Sequence, residues 1–392
     1  MSANEKLTLV PLRRFPEFLD AEKWESKQLG QLITIGNGRD YKHLDQGDIP
    51  VYGSGGYMLS VNDYLHDGDS VCIGRKGTIN SPMFLSGKFW AVDTLFYTHS
   101  FKECVPRFIF LHFQNIDWLK HNEAGGVPSL SKSNIQKVQI AIPKICEQQK
   151  IADCMSSLDD LISAQTQKLA ALKSHKTSFI QQLFPSEGET VPRLRFPEFC
   201  NKGDWSKVAA GEIFSNRIKR GTPGLPIYSV TMTDGMVPRA SLARKIDDIA
   251  EVSANKTAHA GDIVYNMMRM WQGALGVAPE DCMVSPAYIV LTPQHANPIF
   301  FHYLLKTPKS LRVLTTNSRG LTEDRLRLYY DDFSKITLQC PTLKEQDRIA
   351  EFLMSLDRLI ANQEQNIGHL KTHKKGLLQQ LLPPNARESY EH

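Results

Sequence analysis

One segment of this 392-residue chain occurs twice, and this duplication constrains the fold more than any other feature. Residues 143–185 return without a gap at 341–383, and 20 of the 44 positions paired from 142 to 185 are identical. Neither copy contains a proline between its terminal prolines, so each predicts one helix of ~40 residues, roughly 60 Å long. Because 392 residues exceed one ordinary hydrophobic core, we expect two or three folded units.

Apolar residues in both copies recur at alternating steps of four and three residues. This heptad spacing is typical of a coiled coil rather than of a helix lying on a globular core, so we expect the two helices to pair within one molecule. Polar residues interrupt both seams at matched places, which disfavours wrong registers. For Lys176 and Lys374, the alternative is that they only extend into solvent near the helix ends. The predicted seam residues are Ile151, Leu158, Ile162, Gln165, Leu169 and Leu172 in the first helix and Ile349, Leu356, Ile360, Gln363, Ile367 and Leu370 in the second.

The composition favours a soluble, cytoplasmic protein with no membrane partner. Hydrophobic residues make up 41% and charged residues 22%, no apolar run reaches membrane-spanning length, and the first residues lack the apolar core of a signal peptide. The seven cysteines are scattered and form no CxxC or Cys/His cluster, so we expect neither a disulfide framework nor a metal site. The net charge of +4 permits nucleic acid as a partner but does not require it.

A second, shorter repeat precedes each long helix. The sequence RFPEF at 14–18, followed by Trp24, returns at 195–199, followed by Trp205. These tags are either small aromatic anchors that hold a linker against a domain, which is the commoner use, or exposed functional epitopes. The expected order is 1–142 as N-terminal segment and first globular domain, 143–185 as first long helix, 186–202 as linker, 203–340 as second globular domain, 341–383 as second long helix and 384–392 as tail.

Both globular regions predict mixed α/β domains, which makes the fold class α+β with an internal repeat. Each contains β-rich stretches separated by Gly, Asn and Asp, and one amphipathic helix that begins near Pro106 or Pro298. The sequence between these elements differs strongly, and a shared scaffold with divergent loops is typical of a protein that binds two different targets. The predicted strands are 70–74, 89–98 and 138–142 in the first region and 262–266, 287–292 and 335–339 in the second.

No motif in the chain assembles a catalytic site. Asn297 and Pro298 superficially resemble part of the motif with which amino-methyltransferases hold a base, but a helix N-cap followed by a first-turn proline explains them better. The glycines at 53–56 do not stand between a strand and a helix, and no Walker lysine follows the turn at 74–78. We therefore expect no enzyme activity, no catalytic residue and no cofactor bound by this chain.

The starts of the two long helices are similar but not identical. Thr342 followed by Glu345 predicts a capping box, in which each side chain bonds the backbone of the other residue. The first copy has Lys144 at the place of Thr342, so its helix must be capped otherwise. The pairs Glu147–Gln148 and Glu345–Gln346 are common to both copies.

Basic residues cluster in turns of both globular regions, and this pattern favours DNA contact. Arginine in a turn can reach a base edge with two hydrogen bonds, whereas lysine more often contacts phosphate. Each basic residue taken alone is more often a solvated surface group, so the prediction depends on the clusters. The candidate DNA-binding residues are Arg39, Tyr41, Lys42, Ser54, Arg75, Lys76 and Lys132 in the first region and Arg217, Lys219, Arg220, Arg269, Arg319, Arg325 and Arg327 in the second.

These repeats resemble a known family. The pattern P-x3-EQ-x2-IA-x5-LDxLI begins at Pro143 and again at Pro341, and the sequences IPVYGSGG at 49–56, IGRKGTI at 73–79 and WAVDTLFY at 90–97 are similar to target-recognition sequences of the same family. At these residues the chain resembles the specificity subunit of type I restriction-modification systems, the HsdS family. The resemblance covers nearly the whole chain and is looser in the second region.

The resemblance implies a complete architecture. Two α/β target-recognition domains would lie at opposite ends of two long antiparallel helices, which form an intramolecular coiled coil with pseudo-twofold symmetry. Each domain would read one half of a bipartite site in double-stranded DNA, and the helices would set the spacer. Two methyltransferase subunits, which carry the S-adenosylmethionine site, and restriction subunits driven by ATP would be the partners. This chain would supply specificity without catalysis.

A stand-alone DNA-binding regulator or an anti-restriction decoy is the alternative interpretation. Such a protein would use the same domains without enzymatic partners. A methyltransferase gene next to this one would count against that alternative. Within the main hypothesis, Arg75 and Arg319 are expected to read bases.

Overall fold

The computed structural model describes residues 10–242, 251–322 and 325–383, and they form two compact units. The first unit runs to Thr166 and also includes the segment that begins at Gln365, whereas the second extends from Gln167 to Glu364. Each long helix therefore begins in one unit and ends in the other. The predicted tail, 384–392, and residues 1–9 of the N-terminal segment lie outside the described residues.

The first unit is an α/β domain with two four-stranded sheets. The sheets have strand orders β2-β9-β6-β7 and β4-β3-β8-β5, and a separate antiparallel ribbon pairs β1 with β10. The pair β3–β8 is parallel, and the other pairs are antiparallel. The elements are β1 (Glu25–Gln28), α1 (Leu29–Leu32), β2 (Thr34–Asn37), β3 (Gln46–Gly53), β4 (Gly56–Val61), β5 (His66–Asp67), β6 (Ser70–Gly74), β7 (Met83–Leu85), β8 (Lys88–Ala91), β9 (Leu95–His99), α2 (Pro106–Asn115), α3 (Lys132–Lys137), β10 (Gln139–Ile142) and the start of α4 (Ile145–Leu183).

The second unit repeats this topology strand for strand. Its sheets have the orders β12-β19-β16-β17 and β14-β13-β18-β15, its ribbon pairs β11 with β20, and β13–β18 is again the parallel pair. The elements are β11 (Ser206–Ala209), α5 (Ala210–Ile213), β12 (Phe214–Asn216), β13 (Ile227–Val230), β14 (Met236–Pro238), β15 (Lys256–Ala258), β16 (Ile263–Asn266), β17 (Leu275–Val277), β18 (Cys282–Val284), β19 (Tyr288–Pro293), α6 (Pro298–Leu305), α7 (Pro308–Thr316), α8 (Tyr330–Phe333), β20 (Thr337–Cys340) and the start of α9 (Leu343–Leu381).

The prediction of one strand at 89–98 is wrong, because the chain changes sheets within it. Strand β8 belongs to the sheet of β3, whereas β9 belongs to the sheet of β2 and β6. Between them, the Val92 N–H donates to Tyr52 O (3.0 Å) and the Leu95 N–H donates to Val92 O (2.9 Å). These bonds close a turn that a run of apolar residues does not reveal.

Each unit packs the beginning of one long helix against the end of the other. In the first unit, Ile151 of α4 shares a buried core with Leu381 of α9. In the second, Leu183 of α4 shares a core with Ile349 of α9. The helices therefore run antiparallel within each unit, and all twelve predicted seam residues are buried or half-buried.

The seam lysines form ion pairs with the opposite helix. Lys374 of α9 lies 2.5 Å from the carboxylate of Asp159 on α4, and Lys176 of α4 contacts Asp357 on α9. The two pairs occupy equivalent positions, because both residues of each pair are related by the shift of 198 that relates the helices. The lysines therefore do more than extend into solvent, since each can satisfy its aspartate in one register only.

The RFPEF tags are anchors. Each forms a short 3-10 turn, Pro16–Phe18 or Pro197–Phe199, beside the end of a long helix. The Arg13 N–H donates to Gln380 O, and the Leu194 N–H donates to Gln182 O, both at 2.9 Å. Equivalent tags therefore contact equivalent helix ends in the two units, which favours the anchoring interpretation over that of exposed epitopes.

The predicted capping box at the start of α9 is wrong. The Glu345 carboxylate accepts hydrogen bonds from the Arg195 side chain at 2.7 and 2.8 Å and from Trp205 Nε1 at 3.2 Å. The Arg195 guanidinium donates two charge-assisted hydrogen bonds, which are stronger than one from a backbone N–H. The Glu345 carboxylate therefore bonds the arginine of the tag instead of the helix terminus.

Candidate nucleic-acid interface

Several loops of the first unit converge at one edge of its sheets. They follow β2 and β6, and they join β3 to β4 and β8 to β9. Because strands from both sheets end here, residues far apart in sequence become neighbours. The backbone hydrogen bonds that connect these loops run from Arg39 N–H to Ala91 O (2.8 Å), from Val92 N–H to Tyr52 O (3.0 Å) and from Arg75 N–H to Thr94 O (2.8 Å).

This edge brings together four predicted DNA-binding residues. Arg39, Arg75 and Lys76 are exposed, and Ser54 is half-buried. A Cβ on Gly74 would lie 3.2 Å from the Ser54 Cβ, so the glycine lets the two loops approach closely. Among the described residues, no side-chain hydrogen bond or ion pair occupies the Arg75 guanidinium. The group is therefore available to a ligand at this edge.

The other candidates of the first unit lie farther along the same domain. Tyr41 and Lys42 line an open groove of about 780 Å³ that continues along β4 past the exposed Tyr57. Lys132 begins α3 and is half-buried.

Burial, with smaller contributions from His66 and Lys132, holds the pKa of His99 below its ordinary value. His99 therefore adds little positive charge near neutral pH.

The loop at 122–130 also belongs to this edge, although the sequence analysis did not select it. The Leu130 N–H donates to Arg75 O, and the Gly77 N–H donates to Pro128 O, both at 2.9 Å. Ser129 forms a β-bridge with Lys76. The signal of this loop in the sequence is the Gly-Gly-Val-Pro turn at 125–128, which indicates a loop but not which segments it contacts.

The second unit builds the corresponding edge from different side chains. The Leu328 N–H donates to Met267 O (2.9 Å), which is the counterpart of the bond between Leu130 and Arg75. Arg269 follows two residues later and is exposed, and Arg319 and Arg327 exchange backbone hydrogen bonds of 2.9 and 2.8 Å. The structure therefore brings Arg269, Arg319 and Arg327 into adjacent segments, with exposed Arg325 in the same loop.

Two candidate arginines of the second unit form ion pairs within the domain. Arg217 donates from Nε and Nη2 to buried Asp262 at 2.7 and 3.2 Å. Arg319 contacts the carboxylate of Asp332 at 2.6 and 2.7 Å, and the ion pair lowers the pKa of Asp332. Arg217 therefore supports the fold directly, and Arg319 would have to exchange its partner to bind DNA.

Lys219 and Arg220 form a separate basic group beside β15. Both are exposed, the Lys219 carbonyl accepts the Thr257 N–H at 2.9 Å, and Arg220 forms a β-bridge with Lys256. The candidates of the second unit thus fall into two groups, one in the loops after β16 and α7 and one along β15.

Two negative results apply to residues 10–242, 251–322 and 325–383. No helix there is long and apolar enough to cross a membrane. No three His, Cys, Asp or Glu side chains in those ranges come together as a group that could hold a metal ion.

Two relatives match most of this chain. A putative type I restriction enzyme specificity subunit from Haemophilus influenzae is 22% identical over 322 residues, which cover 80% of this chain and 81% of that protein. The MjaVIII type I restriction enzyme specificity subunit from Methanocaldococcus jannaschii is 23% identical over 362 residues, covering 84% of this chain and 80% of the relative.

A solved structure shares the fold at low sequence identity. The crystal structure of the type I restriction-modification S subunit from M. genitalium matches with a TM-score of 0.63 at 13% identity, covering 96% of this chain and 100% of that one. The family model for the type I restriction modification DNA specificity domain matches twice, at residues 21–174 and 176–372, once for each half of the repeat. The chain therefore belongs to the family of type I restriction-modification DNA specificity proteins.

Proposed function

We propose that this chain is the DNA specificity subunit of a type I restriction-modification complex and that each α/β domain reads one half of a bipartite site. The observation that carries the proposal is the strand-for-strand repeat of the two domains with different side chains on the corresponding loops. A shared scaffold with divergent loops is suited to two different base sequences. The family match to each half supports the same conclusion.

The loop edges are the proposed reading surfaces. In the first unit they present Arg39, Arg75 and Lys76, and in the second Arg269 and Arg327. Arginine can donate two hydrogen bonds to guanine in the major groove, while lysine and backbone N–H groups hold phosphates. The turns place these side chains beyond the strand ends, where they can reach a duplex without unfolding the sheets.

The long helices would set the spacer between the two half-sites. Each helix continues without a break from one unit into the other. An α-helix is stiff and rises ~1.5 Å per residue, so its length fixes the separation of whatever its ends hold.

We expect the catalytic partners to supply all chemistry. Two methyltransferase subunits would dock on the helices and domains and carry S-adenosylmethionine, and restriction subunits would use ATP. This chain would bind double-stranded DNA and assemble the complex in the cytoplasm, with no catalytic residue and no cofactor of its own. The two related units provide the reason for two methyltransferase copies, since equivalent surfaces bind equivalent partners.

The decisive experiment is to co-express the chain with its neighbouring methyltransferase subunit and map methylated adenines in host DNA. The expected result is one bipartite motif with a fixed gap that disappears when this chain is omitted. A stable complex without new methylation would contradict the proposal and favour a DNA-binding regulator or decoy.

A second experiment tests the spacer. Deleting seven residues from the middle of both helices preserves the heptad pattern and shortens each helix by about 10 Å, close to three base pairs at ~3.4 Å each. The methylated motif should then keep its half-sites and lose about three base pairs of spacer. An unchanged gap would show that the helices do not set it.

A further inference from the structure

Both units join their domain to a long helix through the same two adjacent side chains. We call Glu147–Gln148 and Glu345–Gln346 the Glu–Gln pairs. All four residues lie in the first turns of α4 and α9, and all are at most 2% exposed. A buried polar side chain is retained only where its partners are fixed, so these pairs mark specific contacts.

The glutamate of each pair holds the tag. Glu147 accepts two hydrogen bonds from Arg14, both 2.7 Å, and one from Trp24 Nε1 at 3.3 Å. Glu345 makes the same three contacts with Arg195 and Trp205. The hydrogen bonds with Glu147 raise the pKa of Arg14, so its guanidinium stays charged.

The glutamine of each pair holds the domain. Gln148 Oε1 accepts the backbone N–H of Val105, the N-cap of α2, at 2.9 Å, while its amide donates to Pro143 O at 2.8 Å. In the second unit, Gln346 Oε1 accepts the N–H of Asn297, the N-cap of α6, at 2.9 Å, and its amide donates to Pro341 O at 2.9 Å. One amide therefore ties the start of a long helix to the start of a domain helix.

The contacts continue from the glutamine to the loop edge that is the proposed reading surface of its unit, which we call the reading edge. Helix α2 packs on β6, and β6 ends immediately before Arg75. In the second unit, α6 packs on β17, which pairs with β16, and Arg269 lies in the turn after β16. Packed helices and paired strands therefore connect each Glu–Gln pair to the loops beyond the sheets.

We propose that the two Glu–Gln pairs are the positioning residues that make the spacer exact. This inference rests on the proposed function. A stiff helix fixes a distance only if the domain at each end cannot rotate, and these pairs lock that rotation. The internal repeat supports the assignment, because both pairs and their arginine and tryptophan partners are identical in the two units while the reading loops differ.

The test measures methylation by the complex of full-length chain and its methyltransferase subunit. The substrates are duplexes with the half-sites separated by the cognate spacer or by one base pair more or fewer. Gln148→Asn and Gln346→Asn shorten the side chain by one methylene, so the amide cannot reach both of its partners. Each should lower the preference for the cognate spacer about tenfold, since a misplacement of ~1 Å far from the chemistry can change a rate ~100-fold.

This proposal differs from one in which each Glu–Gln pair only stabilises its own domain. The spacer depends on both joints between a domain and its long helix. The two variants should therefore lower the preference for the cognate spacer equally, while each domain keeps its preferred bases. The matched control is Gln149→Asn, the same change at the neighbouring residue. Gln149 is exposed, and among the described residues its side chain bonds only Asp153 of the same helix. This control should keep the spacer preference of the unaltered chain.

A second pair of variants covers any loss of folding. Trp24→Phe and Trp205→Phe remove one hydrogen bond to the glutamate and keep an aromatic ring beside the domain helix, and thermal melting verifies that they fold. They should also relax the spacer. Variants that keep an exact spacer, or that weaken reading of only one half-site, would overturn the inference. The absence of a fixed spacer with the unaltered chain would instead overturn the proposed function.

Discussion

The first unit joins β3 to β4 by a tight turn between Gly53 and Gly56, whereas the second joins β13 to β14 by the longer loop 231–235. At the reading edge, Arg75 of the first unit is exposed without an intramolecular side-chain partner among the described residues. Arg319 of the second is held by Asp332. The same strand order therefore supports two chemically different surfaces.

The joints between domain and helix show the opposite behaviour. The Glu–Gln pairs, the RFPEF tags and the tryptophans make the same contacts in both units. Even the exposed ion pairs of the tags repeat, with Glu17 on Lys150 and Glu198 on Arg348. The attachment of each domain to the long helices is therefore the same in both units, whereas the surface proposed to contact DNA differs.

The largest expected effect tests the equality of the joints. Glu147→Ala and Glu345→Ala each leave a buried arginine without its carboxylate, which costs about 3–5 kcal/mol of unfolding free energy in comparable buried pairs. Hydrogen–deuterium exchange during urea titration resolves the two units, and each variant should destabilise its own unit by a similar amount. Clearly unequal losses would show that the joints are not equivalent.

The control for this comparison is the exposed ion pair in the same tags. Glu17→Ala and Glu198→Ala remove carboxylates that are about half exposed, and exposed ion pairs contribute little to stability. Their exchange profiles should stay close to that of the unaltered chain.

The second prediction tests the difference between the reading edges. Arg75→Ala should cost ~1–3 kcal/mol of binding to its own half-site and relax the base preference there. Arg319→Ala should cost less, because Arg319 must first leave Asp332. Methylation rates on duplexes with single substitutions in each half-site measure both losses.

Lys88→Ala is a suitable control for Arg75→Ala. Lys88 begins β8, at the end of that strand away from the converging loops, and lies over the Tyr64 ring at 4.7 Å. It should leave half-site preference unchanged. A uniform loss with Arg75→Ala on all sequences would instead identify a phosphate contact.

The sequence predicts the repeated parts of this fold well because their signals are local. The heptad spacing of the long helices is visible in 40 consecutive residues, and the strand at 70–74 matches β6 because it is a continuous apolar run between turn residues. The helices near Pro106 and Pro298 begin as predicted, since proline in the first turn is a local signal.

The parts that were missed depend on contacts between distant residues. Glu345 lies three residues from Thr342 and 150 from Arg195, yet the arginine takes its carboxylate. Asp262 and Asp332 likewise determine which candidate arginines of the second unit form ion pairs, and neither spacing carries a local pattern. The candidate DNA-binding residues stay a prediction, because an exposed side chain is accessible to DNA but is not thereby shown to bind it.

The third prediction concerns acid sensitivity in the first unit, although burial also lowers the pKa of His302 in α6 of the second unit to about 3. Burial lowers the pKa of His112 in α2 to about 3, whereas an unfolded histidine has a pKa near 6.5. The folded protein keeps His112 neutral, so the contribution of this residue to the free energy of unfolding is complete above about pH 6.5 and is lost as the pH falls below that value. The loss is about 1.4 kcal/mol at pH 5.5 for this residue alone.

His112→Leu should remove that part of the pH dependence. The equivalent residue of α6 in the second unit is Leu304, so the substitution reproduces a side chain that this scaffold already buries. Exchange measured at pH 7.5 and 5.5 should show a smaller acid loss in the first unit and an unchanged loss in the second. An unchanged loss in the first unit would mean that other groups dominate it.

The smallest expected effect separates the two seam ion pairs. Among the described residues, the Asp159 carboxylate pairs only with Lys374, whereas the Asp357 carboxylate pairs with Lys176 and also accepts a hydrogen bond from the hydroxyl of Tyr303 in α6. Burial and the nearby Asp357 carboxylate raise the pKa of Tyr303, so its hydroxyl stays a hydrogen-bond donor at neutral pH. Asp357→Asn should therefore cost about 1 kcal/mol more than Asp159→Asn, the contribution of one additional hydrogen bond.

Tyr303→Phe provides the test that isolates this bond. It removes the hydroxyl and keeps the ring, and Leu111 occupies the equivalent place in the first unit, where no hydroxyl is present. After Tyr303→Phe, Asp357→Asn and Asp159→Asn should have similar costs in exchange experiments. If the difference between them persists, it arises from the helix pairing itself, and the two halves of the coiled coil are less equivalent than their matched registers indicate.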